Sequence, residues 1–145
     1  MSLVEDFLTP SEEQEVIDAI RRAEDNTSGE IRVHLEHHDG GNPEGRALTV
    51  FHYLKMDNTK LQNGVLIYVA VSDHSFAIYG DKGINTVVPK DFWESTKRLI
   101  EAHFKHHNFK QGLVEGIQRA GEQLEKHFPW QHFDRDELSN EISKG

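Results

Sequence analysis

The sequence predicts an α/β protein, a three-layer α/β/α sandwich with a small mixed β-sheet. An apolar run at residues 65–71 follows the turn dipeptide Asn63-Gly64, and its length and β-branched composition predict a strand buried on both faces. Amphipathic segments with helical periodicity lie before and after this run, and they suffice to cover both faces of the sheet. A chain of 145 residues is long enough to form such a core as one domain.

The N-terminal half predicts a strand–helix–strand unit after an opening helix. Residues 9–12, Thr-Pro-Ser-Glu, form a capping box with proline at the first helical position. Residues 30–36 alternate between apolar and polar, which predicts a strand with one buried face. Asn42-Pro43 then starts a helix that should end near Lys55. Because a helix connects the first two strands, we expect these strands to be parallel, with a right-handed crossover.

The hairpin and the later helices complete the prediction. The connection between the buried strand and the next strand, at 75–79, is too short for a crossover, so these two strands should be antiparallel. Residues 86–88 are a candidate for a short fourth strand. A second capping box, Asp91 to Glu94, should open a helix that runs to about His107.

A last helix is predicted from about residue 110 to 127. It contains three glycines, which each cost a helix about 1 kcal/mol relative to alanine, and close approach to a neighbouring element would explain them. We expect the core to span about residues 10–128, with an acidic tail at 129–145. Four apolar residues of this tail could dock it onto the core: Trp130, Phe133, Leu138 and Ile142.

Composition limits the function classes. The net charge is −9, and this surface would repel a phosphate backbone, so nucleic acid is not expected as a partner. The chain has no cysteine, which excludes disulfides, a thiolate nucleophile and a cysteine-based zinc site. We expect a cytoplasmic monomer without a membrane partner, because the sequence offers neither a signal peptide nor the roughly 20 apolar residues of a membrane span.

The predicted topology brings three loops to one end of the sheet, where the first two strands begin and the third ends. Glycines at 64, 80 and 83 would let the backbone turn tightly there. The same residue types are the ordinary residues of turns, with Asp81 as the cap of the next segment, so simple turns are an alternative. The oxygen donors of the kind that Ca²⁺ and Mg²⁺ prefer are Glu30, Asp57, Asn63 and Asp81.

Two other groups compete with this candidate site. The loops at 37–39 and 73–74 carry histidine and aspartate at the opposite sheet end, where ligands bind in many open α/β sheets. His103 and His107 have the i, i+4 spacing that suits a transition metal on a helix, although surface imidazoles near a helix C-terminus are an alternative. The chain has no GxSxG, Walker or GxGxxG motif, so nucleophilic and nucleotide chemistry find no support.

Four segments resemble the TPM domain family in their order and spacing. They are Thr-Ser-Gly-Glu-Ile-Arg-Val at 27–33, Asn-Gly-Val-Leu-Ile-Tyr-Val at 63–69, Ala-Ile-Tyr-Gly-Asp-Lys-Gly-Ile at 77–84 and Gly-Leu-Val-Glu-Gly-Ile at 112–117. The resemblance covers about residues 10–128 and implies an α/β/α sandwich and divalent-cation binding. For chloroplast members it also implies an acid phosphatase activity. The chain resembles the stand-alone bacterial form of the domain.

Carried over residue by residue, the resemblance places the family's acidic and turn positions on Asp57, Asn63 and Asp81, and less securely on Glu30. The first functional hypothesis is therefore a module that binds Ca²⁺ or Mg²⁺ and has a regulatory or interaction role. The alternative is a metal-assisted acid phosphatase that acts on phosphomonoesters. A third hypothesis is an adaptor that binds protein partners and is indifferent to metal.

Overall fold

The computed structural model describes residues 3–129 and 142–145. In this part of the chain no helix is long and apolar enough to cross a membrane. The helices are α1 (Leu3–Asp6), α2 (Pro10–Glu24), α3 (Pro43–Tyr53), α4 (Lys82–Asn85), α5 (Phe92–Phe104) and α6 (Phe109–His127). The strands are β1 (Glu30–Glu36), β2 (Gly64–Ala70), β3 (Ser75–Gly80) and β4 (Ser143–Lys144).

The strands form one mixed sheet in the order β3-β2-β1-β4. β1 and β2 are parallel, with Glu30 opposite Gly64 at one end and Glu36 opposite Ala70 at the other. β2 and β3 form an antiparallel hairpin. Both of these pairings confirm the predicted topology, and they follow from the long connection before β2 and the short turn after it.

Helices cover both faces of the sheet, which confirms the three-layer α/β/α prediction. β2 is buried along its whole length, because one face packs on α2, α5 and α6 and the other on α3. The larger core cluster includes Val16, Ile20, Ile31, Val33, Ile67, Ile100, Leu113 and Ile117. The smaller cluster consists of Ala47, Val50, Phe51, Met56, Leu66, Tyr68, Ala70 and Ala77.

The first capping box is present as predicted. The Glu12 amide donates to Thr9 Oγ1 at 3.1 Å, and the Thr9 amide donates to Glu12 Oε1 at 2.9 Å. The second capping box was wrong. Asp91 is the N-cap of α5, but its backbone (φ −101°, ψ 12°) lacks the extended conformation of a capping residue, and its side chain makes no capping hydrogen bond.

Helix α5 also ends earlier than predicted, at Phe104 rather than near His107. His107 has a φ of 60°, which is outside the helical region. His103 and His107 therefore do not share one helix, and the i, i+4 argument for a transition metal does not apply. The side chain of His103 instead lies 2.7 Å from Glu115 Oε2 on α6.

The fourth strand lies elsewhere than predicted. Residues 86–88 form a turn after α4, in which the amides of Val87 and Val88 donate to the Ile84 carbonyl. The fourth strand is β4, which pairs in parallel with β1 at His34 and Leu35. Of the four docking residues predicted in the tail, Ile142 packs against the larger core cluster. The other three, Trp130, Phe133 and Leu138, lie outside the described residues.

The glycines of α6 allow close packing, as their positions suggested. A β-carbon on Gly112 would lie 2.8 Å from the ring of Phe104, and one on Gly116 would lie 2.6 Å from Ile100 Cδ1. A β-carbon on Gly121 would lie only 2.7 Å from the β-carbon of Ala23 on α2. Helices α2 and α6 thus approach each other too closely for a side chain at position 121.

Gly121→Ala should destabilise the fold by about 1–3 kcal/mol, because α2 and α6 must separate to admit the methyl group. This loss should exceed the gain of about 1 kcal/mol that alanine gives over glycine in a helix. Urea unfolding of this variant measures the difference. Gln118→Ala, at an exposed position of the same helix, is the control and should change stability by less than about 0.5 kcal/mol. Equal stability of the two variants would contradict the packing argument.

Candidate functional site

Three of the four predicted cation ligands meet at one end of the sheet. Glu30 begins β1, Asn63 precedes β2 and Asp81 follows β3. Backbone hydrogen bonds join their segments, since the Glu30 amide donates to the Asn63 carbonyl at 3.4 Å and the Asp81 amide donates to the Gly64 carbonyl at 2.9 Å. All three residues are buried. We call the segments 28–30, 57–64 and 80–85 together the amino-end loops.

Among the residues that the structure describes, only one of the two carboxylate oxygens of Asp81 has a hydrogen-bond partner. Its Oδ1 accepts a hydrogen bond from the Lys82 amide at 2.8 Å, so Asp81 does cap α4, as the turn alternative expected. Its Oδ2 is buried and has no hydrogen-bond partner among the described residues. Asp81 is 5% exposed, so bulk water has little access to the side chain. A buried, unsatisfied carboxylate oxygen is unfavourable unless a cation or a donor reaches it.

The side chain of Asn63 links the loop before β2 to the loop before β1. Its Nδ2 donates to Ser28 Oγ at 3.3 Å, and its backbone amide donates to Thr59 Oγ1 at 3.3 Å. Both Ser28 and Thr59 are buried. Asn63 is therefore fixed in place by its neighbours.

Asp57 does not join this buried group. Its side chain is 50% exposed and lies 3.1 Å from His52 Nδ1, near the end of α3. Its charge still reaches the sheet, because burial and the charges of Asp81 and Asp57 together raise the pKa of Tyr79. Both carboxylates are therefore close enough to act on the Tyr79 hydroxyl group electrostatically.

The glycines of the amino-end loops have a different role from the predicted one. Gly64, Gly80 and Gly83 do not have positive φ values, so tight turning does not require them. Close approach does, because a β-carbon on Gly83 would lie 2.0 Å from the Leu61 carbonyl oxygen. The Gly83 amide donates to the Gln62 carbonyl at 2.7 Å, and Gln62 itself has a φ of 51°. Two loops are thus pressed together directly beside Asp81.

The described residues contain no group of three or more histidine, cysteine, aspartate or glutamate side chains that could hold a metal ion. A cage made only of such side chains is therefore absent from residues 3–129 and 142–145.

The opposite sheet end contains a well-satisfied polar network. Asp73 accepts hydrogen bonds from His38 Nδ1 at 2.9 Å and from the Asp39 amide at 2.7 Å. Asp39 in turn accepts from Ser75 Oγ at 2.5 Å and from the Gly41 amide at 2.6 Å. These contacts hold the β1–α3 loop against the β2–β3 turn. Each carboxylate oxygen of Asp39 and Asp73 therefore has a hydrogen-bond partner within the protein.

A cavity of about 800 Å³ lies near this opposite end, at the end of β2. Its lining combines apolar side chains with lysine and glutamate side chains. None of the four predicted cation ligands lines it. Its lining includes Phe7, Val71, Phe76, Lys97, Glu101 and Phe104.

Sequence reasoning missed a second polar cluster, on the face of β1 that points towards α3. Glu36 accepts hydrogen bonds from Arg46 Nε at 2.7 Å and Arg46 Nη2 at 3.0 Å, and also from the Tyr68 hydroxyl. His34 Nε2 lies 3.2 Å from Glu36 Oε1. The alternation of β1 placed Glu36 and His34 on this face, but Tyr68 looked like one more apolar residue of a buried run.

Burial and these contacts shift the pKa values of Glu36 and His34. Burial alone would raise the pKa of Glu36, but hydrogen bonds from Arg46, Tyr68 and His34 outweigh it and lower the pKa from 4.5 to about 2. Burial lowers the pKa of His34 below 6.5. At neutral pH Glu36 is ionised and can only accept, so we infer that His34 Nε2 donates to it. The other nitrogen, Nδ1, then accepts from Ser143 Oγ at 3.0 Å.

Comparison with known proteins gives the family. The sequence model of the TPM domain matches residues 3–123. The chain belongs to the TPM domain family. This confirms the resemblance that the sequence segments indicated. No curated protein matches this TPM domain chain.

Solved structures share the fold of this TPM domain. The NMR structure of BA42 protein from the psychrophilic bacterium Bizionia argentinensis is 63% identical, with a TM-score of 0.90 and full coverage of both chains. The N-terminal domain of a P. gingivalis protein is 20% identical, with a TM-score of 0.67 and coverage of 87% of this chain and 83% of that one. The N-terminal domain of cg2496 protein from Corynebacterium glutamicum is 12% identical, with a TM-score of 0.64 and coverage of 89% and 84%.

Acid should destabilise the TPM domain through Glu36. Its pKa is about 2 in the fold and near its ordinary 4.5 in the unfolded chain, so the unfolded chain takes up the proton first. The stability that Glu36 contributes, about 3 kcal/mol, is therefore present above pH 4.5 and lost as the pH falls towards 2. Urea unfolding between pH 7 and pH 2 measures this loss.

Glu36→Gln should be less stable than the wild type at pH 7 and should lack this part of the acid-induced loss. Asp18→Asn is the control, because Asp18 is an exposed carboxylate on α2. It should leave the pH dependence close to that of the wild type. A Glu36→Gln chain with the wild-type pH dependence would contradict the role given to Glu36.

Proposed function

We propose that this TPM domain is a divalent-cation-binding module, with Ca²⁺ or Mg²⁺ held at the amino-end loops. The observation that carries the proposal is Asp81 Oδ2, which is buried beside two tightly packed loops and has no hydrogen-bond partner among the described residues. A cation would offset the unfavourable burial of this oxygen. Asp81 is therefore the central ligand of the proposed site.

The other predicted ligands have graded roles in the proposal. Glu30 lies at the same sheet end as Asp81 and is buried there, so it is the candidate for a second carboxylate ligand. Asn63 is held by its hydrogen bond to Ser28, so it would act as a ligand from its present position without a rearrangement of its side chain. Asp57 is exposed and paired with His52, so it would have to leave that partner to reach the ion. Waters would complete the shell.

The overall charge supports the same proposal. With 25 acidic against 16 basic residues, the surface attracts cations and raises their local concentration. A cation that ties Asp81 to the loop at 57–64 would also stiffen the end of the sheet where the two loops are in contact. The regulatory or interaction role would then consist of presenting one ordered surface when the ion is bound.

A titration of chelator-treated protein with Ca²⁺ and Mg²⁺, followed by NMR, tests the proposal. Saturable shifts should concentrate in the amino-end loops, because the ion binds there. Asp81→Asn should weaken binding at least about tenfold, which corresponds to about 1.4 kcal/mol. Asp73→Asn, at the opposite sheet end, is the matched control and should leave the affinity unchanged. Shifts centred on residues 37–39 and 73–74, or equal affinity in the Asp81→Asn chain, would contradict the proposal.

A metal-assisted phosphatase is the second candidate function, and one observation favours it. Lys82 follows Asp81 directly and is exposed, and Lys60 is exposed in the facing loop. An ammonium group beside a cation could neutralise the charge of a phosphomonoester, while the metal polarises the phosphoryl oxygen and activates a water. The chain offers no nucleophile motif, so this candidate requires direct attack by water.

Hydrolysis of p-nitrophenyl phosphate, measured with and without Mg²⁺, tests this second candidate. Activity should require the metal and should fall to background in Asp81→Asn. Lys82→Ala should raise KM more than it lowers kcat, because the ammonium group serves substrate binding. Lys90→Ala, another exposed lysine outside the amino-end loops, is the control. Activity that survives Asp81→Asn would come from another protein in the preparation.

A further inference from the structure

The outer edge of β1 is occupied by a very short strand. β4 consists of Ser143 and Lys144, which pair with His34 and Leu35, and the Gly145 amide then donates to the Leu35 carbonyl at 2.9 Å. Residues 130–141 separate this segment from Pro129, which follows α6 and bridges to Thr27. On this side, therefore, the seven-residue strand β1 is paired with a strand of only two residues.

Each residue of the segment 142–145 meets a surface of different chemistry. Ile142 packs on the larger core cluster, and Ser143 Oγ lies 3.0 Å from His34 Nδ1. Lys144 Nζ lies 2.8 Å from Glu13 Oε1 on α2 and 3.1 Å from Glu5 Oε2 on α1. The segment is therefore recognised by an apolar patch, an imidazole and two carboxylates in succession.

The last position of the segment selects for small size. A β-carbon on Gly145 would lie 3.1 Å from both Cε1 and Nε2 of His34 and 3.4 Å from Glu36 Oε1. His34 cannot easily move away, because its own Nε2 is held by Glu36. Taken together, the four contacts define a pattern of apolar, hydroxyl, basic and small residues. We call the surface that makes these contacts, composed of Glu5, Glu13, His34 and Leu35 with the adjoining apolar patch, the β1-edge groove.

The contacts that hold the segment 142–145 are weak, and another extended peptide could make the same ones. The ion pairs of Lys144 are partly exposed, with side-chain exposures of 27% for Glu13 and 56% for Glu5, and exposed pairs of this kind contribute little. A ladder of two residues adds few backbone hydrogen bonds. An extended peptide that joins a sheet edge uses the same backbone hydrogen bonds and reads its sequence through side-chain pockets.

We propose that the β1-edge groove binds an extended segment of another protein with the pattern apolar–hydroxyl–basic–small, and that residues 142–145 occupy the groove as an internal competitor. Charge complementarity determines the partner, because two carboxylates converge on the position of Lys144. The groove lies along His34 and Leu35, towards the other end of β1 from the amino-end loops. The proposal is therefore independent of cation binding.

The test uses the full chain and the synthetic peptide Asn-Glu-Ile-Ser-Lys-Gly, which repeats residues 140–145. Binding is measured by fluorescence anisotropy of the labelled peptide and mapped by NMR. Lys144→Glu should expel the internal segment, since it places a third carboxylate beside Glu5 and Glu13. Because an internal competitor lowers apparent affinity by the fraction of open grooves, this chain should bind the peptide at least about tenfold more tightly than the wild type.

Lys110→Glu is the matched control, because Lys110 pairs with another glutamate of α2, Glu15, at 3.4 Å. It should bind the peptide as weakly as the wild type does. A peptide with glutamate in place of lysine should not bind the Lys144→Glu chain. NMR shifts caused by the wild-type peptide should fall on His34, Leu35 and Glu13.

Glu13→Lys provides a second and independent variant, which keeps the proposal testable if Lys144→Glu does not fold. It should reverse the preference, so that the glutamate peptide binds more tightly than the lysine peptide. Equal binding of the two peptides, no binding to either variant, or shifts away from the β1 edge would overturn the proposal. A dimer that forms by light scattering and depends on Lys144 would assign the groove to a second copy of this chain and would also overturn it.

Discussion

The fold depends on the burial of β2 on both faces. A strand that is apolar on both sides needs helices above and below it, and the chain supplies α3 on one face and α2, α5 and α6 on the other. The single helix α3 packs on β2 and β3, so it does not provide the same apolar cover over β1. The face of β1 on that side accordingly carries Glu30, His34 and Glu36, which are buried but polar. Each candidate binding surface takes one residue from this polar strip, Glu30 at the amino-end loops and His34 at the β1-edge groove.

The main architecture could be predicted because local patterns determine it. The alternation at 30–36, the uniform apolar run after Asn63 and the short turn before Ser75 each allow only one strand type or pairing. The features that could not be predicted depend on distant partners. β4 is two polar residues without a strand pattern, and only the edge of β1 makes it a strand. The segment from Asp91 to Glu94 has the residue types of a capping box, but the backbone at Asp91 has the wrong conformation for a cap.

In the candidate cation site, too, the positions of the residues could be predicted from the sequence but their side-chain contacts could not. Topology correctly placed Glu30, Asn63 and Asp81 at one sheet end, because strand directions alone determine which loops meet. Sequence could not show that Asp57 turns towards His52, or that only one oxygen of Asp81 is used in capping. Side-chain direction in a loop depends on contacts such as that between Gly83 and the Leu61 carbonyl, which no periodicity reveals.

The packing of α2 against α6 has a consequence for how the chain folds during synthesis. The Thr27 hydroxyl, just after α2, donates to the Leu124 carbonyl of α6, and 97 residues separate the two. β1, α3, β2 and β3 follow one another directly, so they can associate while the ribosome is still making the rest of the chain. The part of α2 that packs on α6 stays uncovered until α6 has been made. Helix α2 emerges early but is covered completely only after α6 has been made, and during translation its exposed apolar side chains need protection from aggregation.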